Sequence, residues 1–423
     1  MQFNDFNFHP AIATAVRDCG YTAPTAIQAQ AIPHLLAGRD LLGLAQTGTG
    51  KTAAFVLPTL QRLQEQRGKS MQVRALVLTP TRELAEQIHD NIRQMAGKTG
   101  LRSCTVYGGV SKNRQLQELR RGADIVVACP GRLLDHLNGR AIDLSGIEIL
   151  ILDEADQMFD KGFLPDIRRI LRQVPQKRQS MVFSATMPRE IRHLVEEILS
   201  GHETVQVDHE KPAATISHVQ FRVAQERKTA LLKNILKEKQ MVTTLVFTRT
   251  KYKAKNLARQ LQKAGFRATS LQGNMSQSQR RVAMDGFRNG KFNILVATDI
   301  AARGIDVSGI SHVVNYDIPD TVEAYTHRTG RTGRAEQTGE AYSFVTAADG
   351  YLIRTVERSL GKKIRQESLA GFDCGADSCP PPKRRGQGSR RPGRPHKPST
   401  RRGKSSGRKR SPSFDFGLTA SAK

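Results

Sequence analysis

Two short segments of this sequence group residues that suit phosphate chemistry. The first, AQTGTGKT at residues 45–52, follows an apolar run and precedes a stretch with helical periodicity. In such a turn the glycines expose backbone N–H groups to a phosphate, the Lys51 ammonium reaches the β- and γ-phosphates, and the Thr52 hydroxyl binds Mg²⁺. The usual pattern begins with glycine, whereas this segment begins with Ala45. An ordinary glycine-rich turn is therefore the alternative to a phosphate-binding loop.

The second segment, ILILDEAD at residues 149–156, is an apolar run that ends in three carboxylates. Asp153 stands where a carboxylate holds the hydration shell of Mg²⁺, and Glu154 is placed to orient and deprotonate an attacking water. Asp156 lies two residues further and is free to bind elsewhere. A solvated acidic turn is the alternative, but together with residues 45–52 the segment favours nucleotide hydrolysis.

The segments that surround these residues alternate between short β-branched runs and longer amphipathic stretches. Such alternation predicts parallel sheets that are buried on both faces by helices. Two series of runs indicate two α/β domains of similar plan, joined by the polar segment 207–217. The first series is 40–45, 75–80, 103–109, 124–130, 149–156 and 180–186, and the second is 218–224, 243–250, 266–273, 293–299, 312–318 and 341–346.

The charge of the chain is large and unevenly distributed. The 423 residues carry a formal net charge of +27, and the stretch from Pro380 to Arg410 contains 13 lysines and arginines without one Asp or Glu. A balance of this kind points to a polyanion partner, either nucleic acid or an anionic membrane. Residues 371–423 are rich in Pro, Gly, Ser and cations, so we expect a disordered basic tail.

The cysteine pattern and the length of the apolar stretches indicate the cellular compartment. The five cysteines form no CxxC pair and fit a reducing compartment rather than a disulfide framework or a zinc site. The first residues lack a basic stretch followed by an apolar run, and no segment approaches the ~20 apolar residues that cross a bilayer. We therefore expect a cytoplasmic protein without a signal peptide.

With DEAD at 153–156 and AQTGTGKT at 45–52, the chain resembles the DEAD-box family of ATP-dependent RNA helicases, in which the loop normally starts with alanine. The resemblance extends over about residues 3–350 and is nearest to the bacterial RhlE-like subgroup. It implies two tandem RecA-like domains with parallel sheets, ATP and Mg²⁺ as cofactors, and RNA as a partner bound without sequence specificity. The implied divisions are an ATP-binding domain 1–206, a linker 207–217, a C-terminal helicase domain 218–370 and the tail 371–423.

The resemblance also implies the residues that bind ATP. GYTAPTAIQ at 20–28 matches the motif in which Tyr21 stacks on adenine and Gln28 hydrogen-bonds its edge, with Phe3 as the upstream aromatic. A side-chain amide both donates and accepts, as the adenine edge requires. The implied phosphate and ribose contacts are Ala45, Gln46, Thr47, Gly48, Thr49, Gly50, Lys51, Thr52 and Asp306, with Thr52 and Asp153 as Mg²⁺ ligands.

Further motifs imply contacts to RNA. PTRELA (80–85), GG (108–109), CPGR (129–132) and VFTRT (246–250) match RNA-facing loops, which assigns RNA contacts to Arg82, Gly108, Gly109, Arg132 and Thr248. The family usually has Thr where this chain has Cys129. Because a thiol is a poor hydrogen-bond donor, one phosphate contact is expected to be weaker.

Other matches imply coupling between the two ligands. SAT at 184–186 resembles the element that links ATP to strand separation, through Ser184, Thr186 and Asp156, and His327 is expected to bridge to the acidic motif. In HRTGRTGR (327–334), three arginines at spacing three could form one helical face. Arg331 and Arg334 are expected to reach the γ-phosphate across the cleft, although a solvated basic helix is the alternative.

The resulting hypothesis is an RNA helicase with RNA-stimulated ATPase activity, in which ATP and RNA both stabilise a closed arrangement of two domains. Ribosomal and RNA-decay assemblies are the partners that such an activity suggests. An RNA chaperone or ribosome-associated scaffold that works through its basic tail is a rival, but Lys51, Glu154 and Arg331 would then be unnecessary. A DNA-directed ATPase is a second rival, because only contacts to the 2′-hydroxyl distinguish the sugars.

Overall fold

The computed structural model describes residues 1–46, 48–66, 72–207, 216–239, 241–302, 309–333 and 338–375, except the side chain at 300. All of them fall within one compact unit, Met1–Cys379. Three predicted site residues, Thr47, Asp306 and Arg334, lie outside the described residues, and so does the predicted tail beyond residue 375.

The first domain contains seven strands and nine helices among its described residues. Its strands are β1 (Leu41–Leu44), β2 (Ala75–Leu78), β3 (Ser103–Val106), β4 (Ile125–Ala128), β5 (Ile149–Leu152), β6 (Gln179–Ser184) and β7 (Glu203–Gln206). Its helices are α1 (Pro10–Asp18), α2 (Ala26–Leu36), α3 (Lys51–Glu65), α4 (Arg82–Ala96), α5 (Lys112–Arg120), α6 (Pro130–Asn138), α7 (Ala155–Asp160), α8 (Leu164–Leu171) and α9 (Arg189–Ile198).

The second domain contains seven strands and six helices among its described residues. Its strands are β8 (Ile216–Arg222), β9 (Thr244–Phe247), β10 (Ala268–Leu271), β11 (Ile294–Ala297), β12 (His312–Asn315), β13 (Gly339–Val345) and β14 (Arg365–Glu367). Its helices are α10 (Lys228–Glu238), α11 (Lys251–Lys263), α12 (Gln277–Arg288), α13 (Asp299–Ala302), α14 (Val322–Thr329) and α15 (Gly350–Leu360).

Both domains have the same sheet topology. The strand order is β3-β4-β2-β5-β6-β1-β7 in the first sheet and β10-β11-β9-β12-β13-β8-β14 in the second, and all neighbouring strands are parallel. Counted from its own first strand, each sheet runs 3-4-2-5-6-1-7. The prediction of two parallel α/β domains of similar plan is confirmed.

Successive side chains along each strand point to opposite faces of the first sheet, and each face is covered by its own apolar layer. In β2, Ala75 and Val77 pack with helices α1 to α4, whereas Leu76 and Leu78 pack with α6 to α9. Since both faces of the sheet are covered, β2, β4 and β5 are apolar at every position, as in ILIL of β5. This packing fixes the strand ends, where the loops with predicted chemistry begin.

The structure differs from the sequence interpretation in several elements. Strands β7 and β14 were not predicted, because ETVQ and RQE lie at sheet edges and lack a continuous apolar run. Strand β8 begins at Ile216, within the segment interpreted as a linker. Residues beyond 370 also pack on the second domain, where the Cys374 carbonyl accepts from Ala224 N at 2.9 Å.

Candidate ATP and RNA site

Three predicted nucleotide segments meet at one edge of the first sheet. Residues 45–50 follow β1, Asp153 follows β5, and Ala185 follows β6, and these three strands are neighbours in the order β5-β6-β1. The loops with predicted RNA contacts follow β2, β3 and β4, which form the other half of the same sheet. One sheet thus presents a nucleotide half and an RNA half along the carboxyl ends of its strands.

The phosphate loop is closed by hydrogen bonds to its own backbone. Gly48 and Gly50 adopt φ values of 90° and 94°, which L-residues with a Cβ rarely adopt. The Lys51 ammonium donates to the Ala45 carbonyl at 2.8 Å, so the last residues of the loop are tied to its first. Ala45 N in turn donates to the Ser184 carbonyl at 3.0 Å, which joins the loop to the end of β6.

Gln28 connects the predicted adenine site with the phosphate loop. Its side chain is only 1% exposed, with Oε1 accepting from Thr25 N at 2.9 Å and Nε2 donating to the Gly50 carbonyl at 3.1 Å. A Cβ on Gly50 would lie 2.5 Å from Gln28 Nε2, so the contact also requires glycine there. The amide keeps one donor and one acceptor position for a base edge.

The predicted aromatic pair is also brought together. The rings of Phe3 and Tyr21 are arranged edge to face with centroids 5.6 Å apart. Phe3 is held in turn against Phe6, in a short 3-10 helix at Phe3–Phe6. The N-terminal residues therefore support the tyrosine that is predicted to stack on the base.

Asp153 and Glu154 are both almost completely buried at the end of β5. Burial raises the pKa of the Asp153 carboxyl well above its ordinary value, although the nearby Lys51 ammonium opposes the shift. Glu154 has φ 54° and ψ 53°, a left-handed conformation that costs a non-glycine residue ~1–2 kcal/mol. It turns the chain sharply between β5 and α7.

These residues fit a magnesium ion. Mg²⁺ prefers oxygen ligands and retains several waters, and the Thr52 hydroxyl with the Asp153 carboxylate supplies oxygen ligands beside the Lys51 loop. A cation there would also offset the cost of ionising the buried Asp153. Among the described residues, no group of three or more His, Cys, Asp and Glu side chains is arranged as a metal site.

Asp156 is bound directly to the segment 184–186. Its Oδ2 accepts from Thr186 N at 2.9 Å, from Thr186 Oγ1 at 3.0 Å and from Ala185 N at 3.2 Å. Ser184 Oγ accepts from Asp156 N at 3.3 Å and donates to the Thr186 carbonyl at 2.7 Å. The structure thus brings together three of the four residues predicted to couple the two ligands.

The predicted RNA loops of the first domain are packed against each other. The Arg82 guanidinium lies over the glycine pair, since a Cβ on Gly109 would be 2.0 Å from Arg82 Nη1. Gly109 also has a φ of 83°. Arg132 Nη1 donates to the Val110 carbonyl at 3.2 Å, which braces the same loop. Arg132 is therefore placed to shape the loop as well as to attract phosphates.

Cys129 and Thr248, which lie in segments predicted to face RNA, are both buried. Cys129 is buried at the start of α6, where its side chain does not cap the helix, and burial raises its thiol pKa to about 12. Thr248 is 0% exposed, and its hydroxyl donates to the Thr250 carbonyl at 3.4 Å. The side chain of the neighbouring Arg249 is 57% exposed, with Nη2 3.3 Å from Asp320 Oδ1.

Two family models match the chain: "DEAD/DEAH box helicase" over residues 25–194 and "Helicase conserved C-terminal domain" over residues 227–336. The ATP-dependent RNA helicase CshA of Listeria monocytogenes is 40% identical over 373 residues, which cover 88% of this chain and 71% of the relative. The chain belongs to the DEAD/DEAH box helicase family. The family resemblance noted in the sequence is confirmed, whereas the RhlE-like subgroup stays a prediction.

Other helicases agree with this assignment. The ATP-dependent RNA helicase DeaD of Mycobacterium tuberculosis is 43% identical over 369 residues, 87% of this chain and 65% of the relative. Among solved structures, Dbp5 of S. cerevisiae bound to RNA and ADP BeF3 has a TM-score of 0.77 at 28% identity, covering 86% of this chain and 95% of that one. The two tandem RecA-like domains expected from the resemblance are thereby confirmed.

The arginine segment of this helicase does not form one helical face. Helix α14 ends at Thr329, so Arg331 follows the helix while Arg328 lies within it. Arg328 is buried and makes a bidentate ion pair with Asp299, at 2.5 and 2.6 Å. Arg331 is also buried, and His327 is partly exposed. Asp299 had no signal in the sequence, since its partner is 29 residues away.

The helicase domains contact each other through an ion pair that the sequence did not suggest. Arg280 Nε of α12 lies 2.6 Å from Glu83 Oε1 of α4, and both side chains are 10% exposed. Arg280 Nη1 also donates to the Gln272 carbonyl at 3.2 Å. A cavity of about 790 Å³, lined by both domains, lies beside this pair. Glu83 belongs to the PTRELA segment, so the RNA half of the first sheet is joined to the second domain here.

No described helix combines the length and the apolar composition that spanning a membrane would require.

Proposed function

We propose that this protein is an RNA-stimulated ATPase that separates short RNA duplexes or remodels RNA–protein complexes. The direct hydrogen bonding of Asp156 to residues 184–186 carries the proposal, because it joins the nucleotide loop to the end of the neighbouring strand. The names of the relatives, which are ATP-dependent RNA helicases, and the RNA and nucleotide bound to the similar Dbp5 structure support the choice of RNA and ATP.

Each residue of the nucleotide half has a distinct task in this proposal. Lys51 exchanges its hydrogen bond with the Ala45 carbonyl for one to the β- and γ-phosphates, which places positive charge where the transition state gains negative charge. Glu154 accepts a proton from the attacking water and orients its oxygen toward the γ-phosphate. Thr52 and Asp153 would hold Mg²⁺, which would neutralise charge at the phosphate oxygens.

The second domain completes the site when the two domains close. Arg331 reaches the γ-phosphate from the second domain, so hydrolysis depends on closure. The RNA lies across the loops after β2, β3 and β4 and the corresponding loops of the second sheet, and its backbone contacts favour the same closed state. Since both ligands stabilise one arrangement, each raises the affinity for the other. Bending of the bound strand then excludes its complement.

The test compares the rate of ATP hydrolysis without polymer, with single-stranded RNA and with DNA of the same sequence. We expect stimulation by RNA and weak or no stimulation by DNA. Lys51→Ala is the control for contaminating activity, because it removes the ammonium of the phosphate loop and should abolish ATP binding. Equal rates in all three conditions would refute the proposed function, and equal stimulation by RNA and DNA would favour a DNA-directed ATPase.

A further inference from the structure

Helix α11 of the second domain is strongly basic. Five of its 13 residues are cations and none is Asp or Glu; the cations are Lys251, Lys253, Lys255, Arg259 and Lys263. Lys253 is committed within the fold, because its ammonium lies 2.9 Å from Asp317 Oδ1. Lys251 and Lys255 are exposed, and neither forms an ion pair with any described residue. They lie four residues apart and therefore on one face of the helix.

These two lysines line a groove of about 630 Å³ between α11 and α12, beside the edge strand β10. Two of the five large hydrophobic side chains that are exposed among the described residues lie in this groove: Tyr252, 66% exposed, and Val282, 59% exposed. None of the described residues that line it is Asp or Glu. The groove thus combines an accessible aromatic ring, an aliphatic wall and unpaired cations, which is the composition of single-strand binding surfaces.

Tyr252 lies in the first turn of α11, which hydrogen bonds hold in place. Thr250 caps α11 by accepting from Lys253 N at 3.2 Å, and Asp317 Oδ2 accepts from Arg249 N at 2.9 Å. Tyr252 lies between these anchored residues, with the Lys251 ammonium 5.4 Å from its ring centroid. A ring that is both exposed and held on a rigid element loses little entropy when a ligand stacks on it.

The groove adjoins the loops of the second sheet that correspond to the predicted RNA loops of the first. The loop after β9 ends at Thr250, directly before Lys251, and Asn274 and Met275 of the loop after β10 line the groove itself. Strands β10, β11 and β9 occupy the same sheet positions as β3, β4 and β2, whose loops carry the predicted RNA contacts of the first domain. A strand that leaves the cleft across the loop after β9 therefore meets Tyr252 next.

We propose that this groove is an auxiliary site for single-stranded RNA, in which Tyr252 stacks on a base and Lys251 and Lys255 bind the flanking phosphates. The inference rests on the proposed RNA-dependent function and extends it to the length of strand that is bound. The site holds RNA outside the cleft between the domains, so it affects long strands and leaves short ones unchanged. An acidic protein segment would also meet the cations, but continuity with the loops after β9 and β10 favours RNA.

The experiment uses the full chain and two single strands of one sequence, about 6 and about 20 nucleotides long, of which only the longer can fill both sites. Binding is measured by fluorescence anisotropy at several salt concentrations in the presence of a non-hydrolysable ATP analogue. The variants are Tyr252→Ala, Tyr252→Phe and the pair Lys251→Ala with Lys255→Ala. The matched control is Lys237→Ala with Lys263→Ala, which removes two exposed lysines outside the groove.

We expect Tyr252→Ala to weaken binding of the long strand at least about fivefold, the lower range for loss of one stacked base, and Tyr252→Phe to retain it. The groove lysine pair should lower the slope of log K against log salt by up to ~1.4, since each neutralised phosphate contributes ~0.7. Binding of the short strand, and the ATPase rate that it stimulates, should stay at parent values. A long strand with 4-thiouridine should also crosslink to residues of the groove.

The outcomes separate this inference from the proposed function. If RNA does not stimulate the parent's ATPase, the proposed function fails. If RNA stimulates the parent but the groove variants bind the long strand as the control pair does, the auxiliary site is overturned and a protein partner becomes the candidate for the groove. If the groove variants weaken the binding of short and long strands equally, the auxiliary site is also overturned. The groove residues would then affect RNA binding in the cleft between the domains and not outside it.

Discussion

In the nucleotide half, the backbone position of each side chain determines which chemical role it can take. Asp153 and Glu154 are consecutive carboxylates, yet the left-handed backbone at Glu154 directs the chain into α7 immediately after β5. Both lie in the same buried region beside Lys51, where electrostatic interactions are stronger than in water. Consecutive residues can therefore take different tasks, one toward the metal shell and the other toward water.

For Glu154→Gln we expect ATP and RNA binding to persist while hydrolysis slows by ~10²–10⁴, because the amide keeps the shape and cannot accept the proton. The complex with RNA and ATP should then be long-lived. The check is the dissociation rate of labelled RNA beside single-turnover hydrolysis, with the parent as control. Dissociation as fast as in the parent would contradict closure by ATP.

Gln28 ties the base site to the phosphate loop through the Gly50 carbonyl, so its loss should have two effects. For Gln28→Ala we expect weaker ATP binding and a smaller preference for ATP over GTP, because paired polar groups discriminate strongly against a mismatched base edge. Titrations with fluorescent ATP and GTP measure both. An ATP/GTP ratio equal to that of the parent would show that Gln28 supports the loop without reading the base.

The loops that follow neighbouring strands of the first sheet are joined by hydrogen bonds. The loops after β5 and β6 share the Asp156 carboxylate, and the end of β6 holds the first residue of the phosphate loop through the Ser184 carbonyl. A shift at the phosphates therefore reaches residues 184–186 through contacts among three adjacent strands. Under the proposed function, these contacts would let residues 184–186 respond to ATP.

Thr186→Val removes one of the three hydrogen bonds to Asp156 Oδ2 and keeps the side-chain shape. A hydrogen bond to a charged group contributes ~1.5–3 kcal/mol, so we expect the link to loosen while the backbone bonds retain it in part. Duplex unwinding should fall several-fold more than RNA-stimulated ATP hydrolysis. Thr186→Ser keeps the hydroxyl and should unwind like the parent. Parallel losses of both activities would argue against a coupling role.

The two domains depend on each other through the buried pair of Glu83 and Arg280. Removing one partner of such a pair leaves the other charge buried and uncompensated, which commonly costs ~3–5 kcal/mol. Because the pair joins the two domains, we expect this cost to act on the proposed closure of the domains.

We expect Glu83→Arg and Arg280→Glu, each alone, to lower RNA-stimulated ATPase and the cooperativity between ATP and RNA. The double swap should recover part of both, because it restores opposite charges across the interface. The measurement is the ATP dissociation constant with and without RNA for the parent and the three variants. If the loss of cooperativity between ATP and RNA in the double variant equals the sum of the losses in the two single variants, the pair does not hold the closed state.

Deletion of residues 380–423 removes 14 lysines and arginines, all of which lie outside the described residues. The basic part of this segment, residues 380–410, contains no Phe, Tyr or Trp and should bind RNA through phosphates alone. We therefore expect the deletion to weaken apparent RNA binding and to lower the slope of the salt dependence by ~0.7 for each phosphate released. The ATPase rate at saturating RNA should hardly change, since every predicted catalytic residue precedes the tail. ATPase against RNA concentration at several salt concentrations tests this. Identical half-saturation would point to a protein target for the tail.

The sequence by itself determined the two α/β domains, their parallel strands and the chemistry of the phosphate and acidic segments. These features are local: apolar runs specify buried strands, and glycine, lysine and carboxylates act within a few residues of each other. The same locality explains why β7 and β14 were missed, since polar edge strands are specified by the strand they pair with.

Only the tertiary structure decided which loops meet. The strand order places the ends of β1, β5 and β6 side by side, although β1 precedes β5 and β6 by more than a hundred residues, and nothing in a local pattern encodes that order. It likewise turned Arg328 toward Asp299, buried Thr248, and paired Glu83 with Arg280 across 197 residues. Such contacts are chosen by packing and by the need to pair buried charges, and both depend on the whole fold.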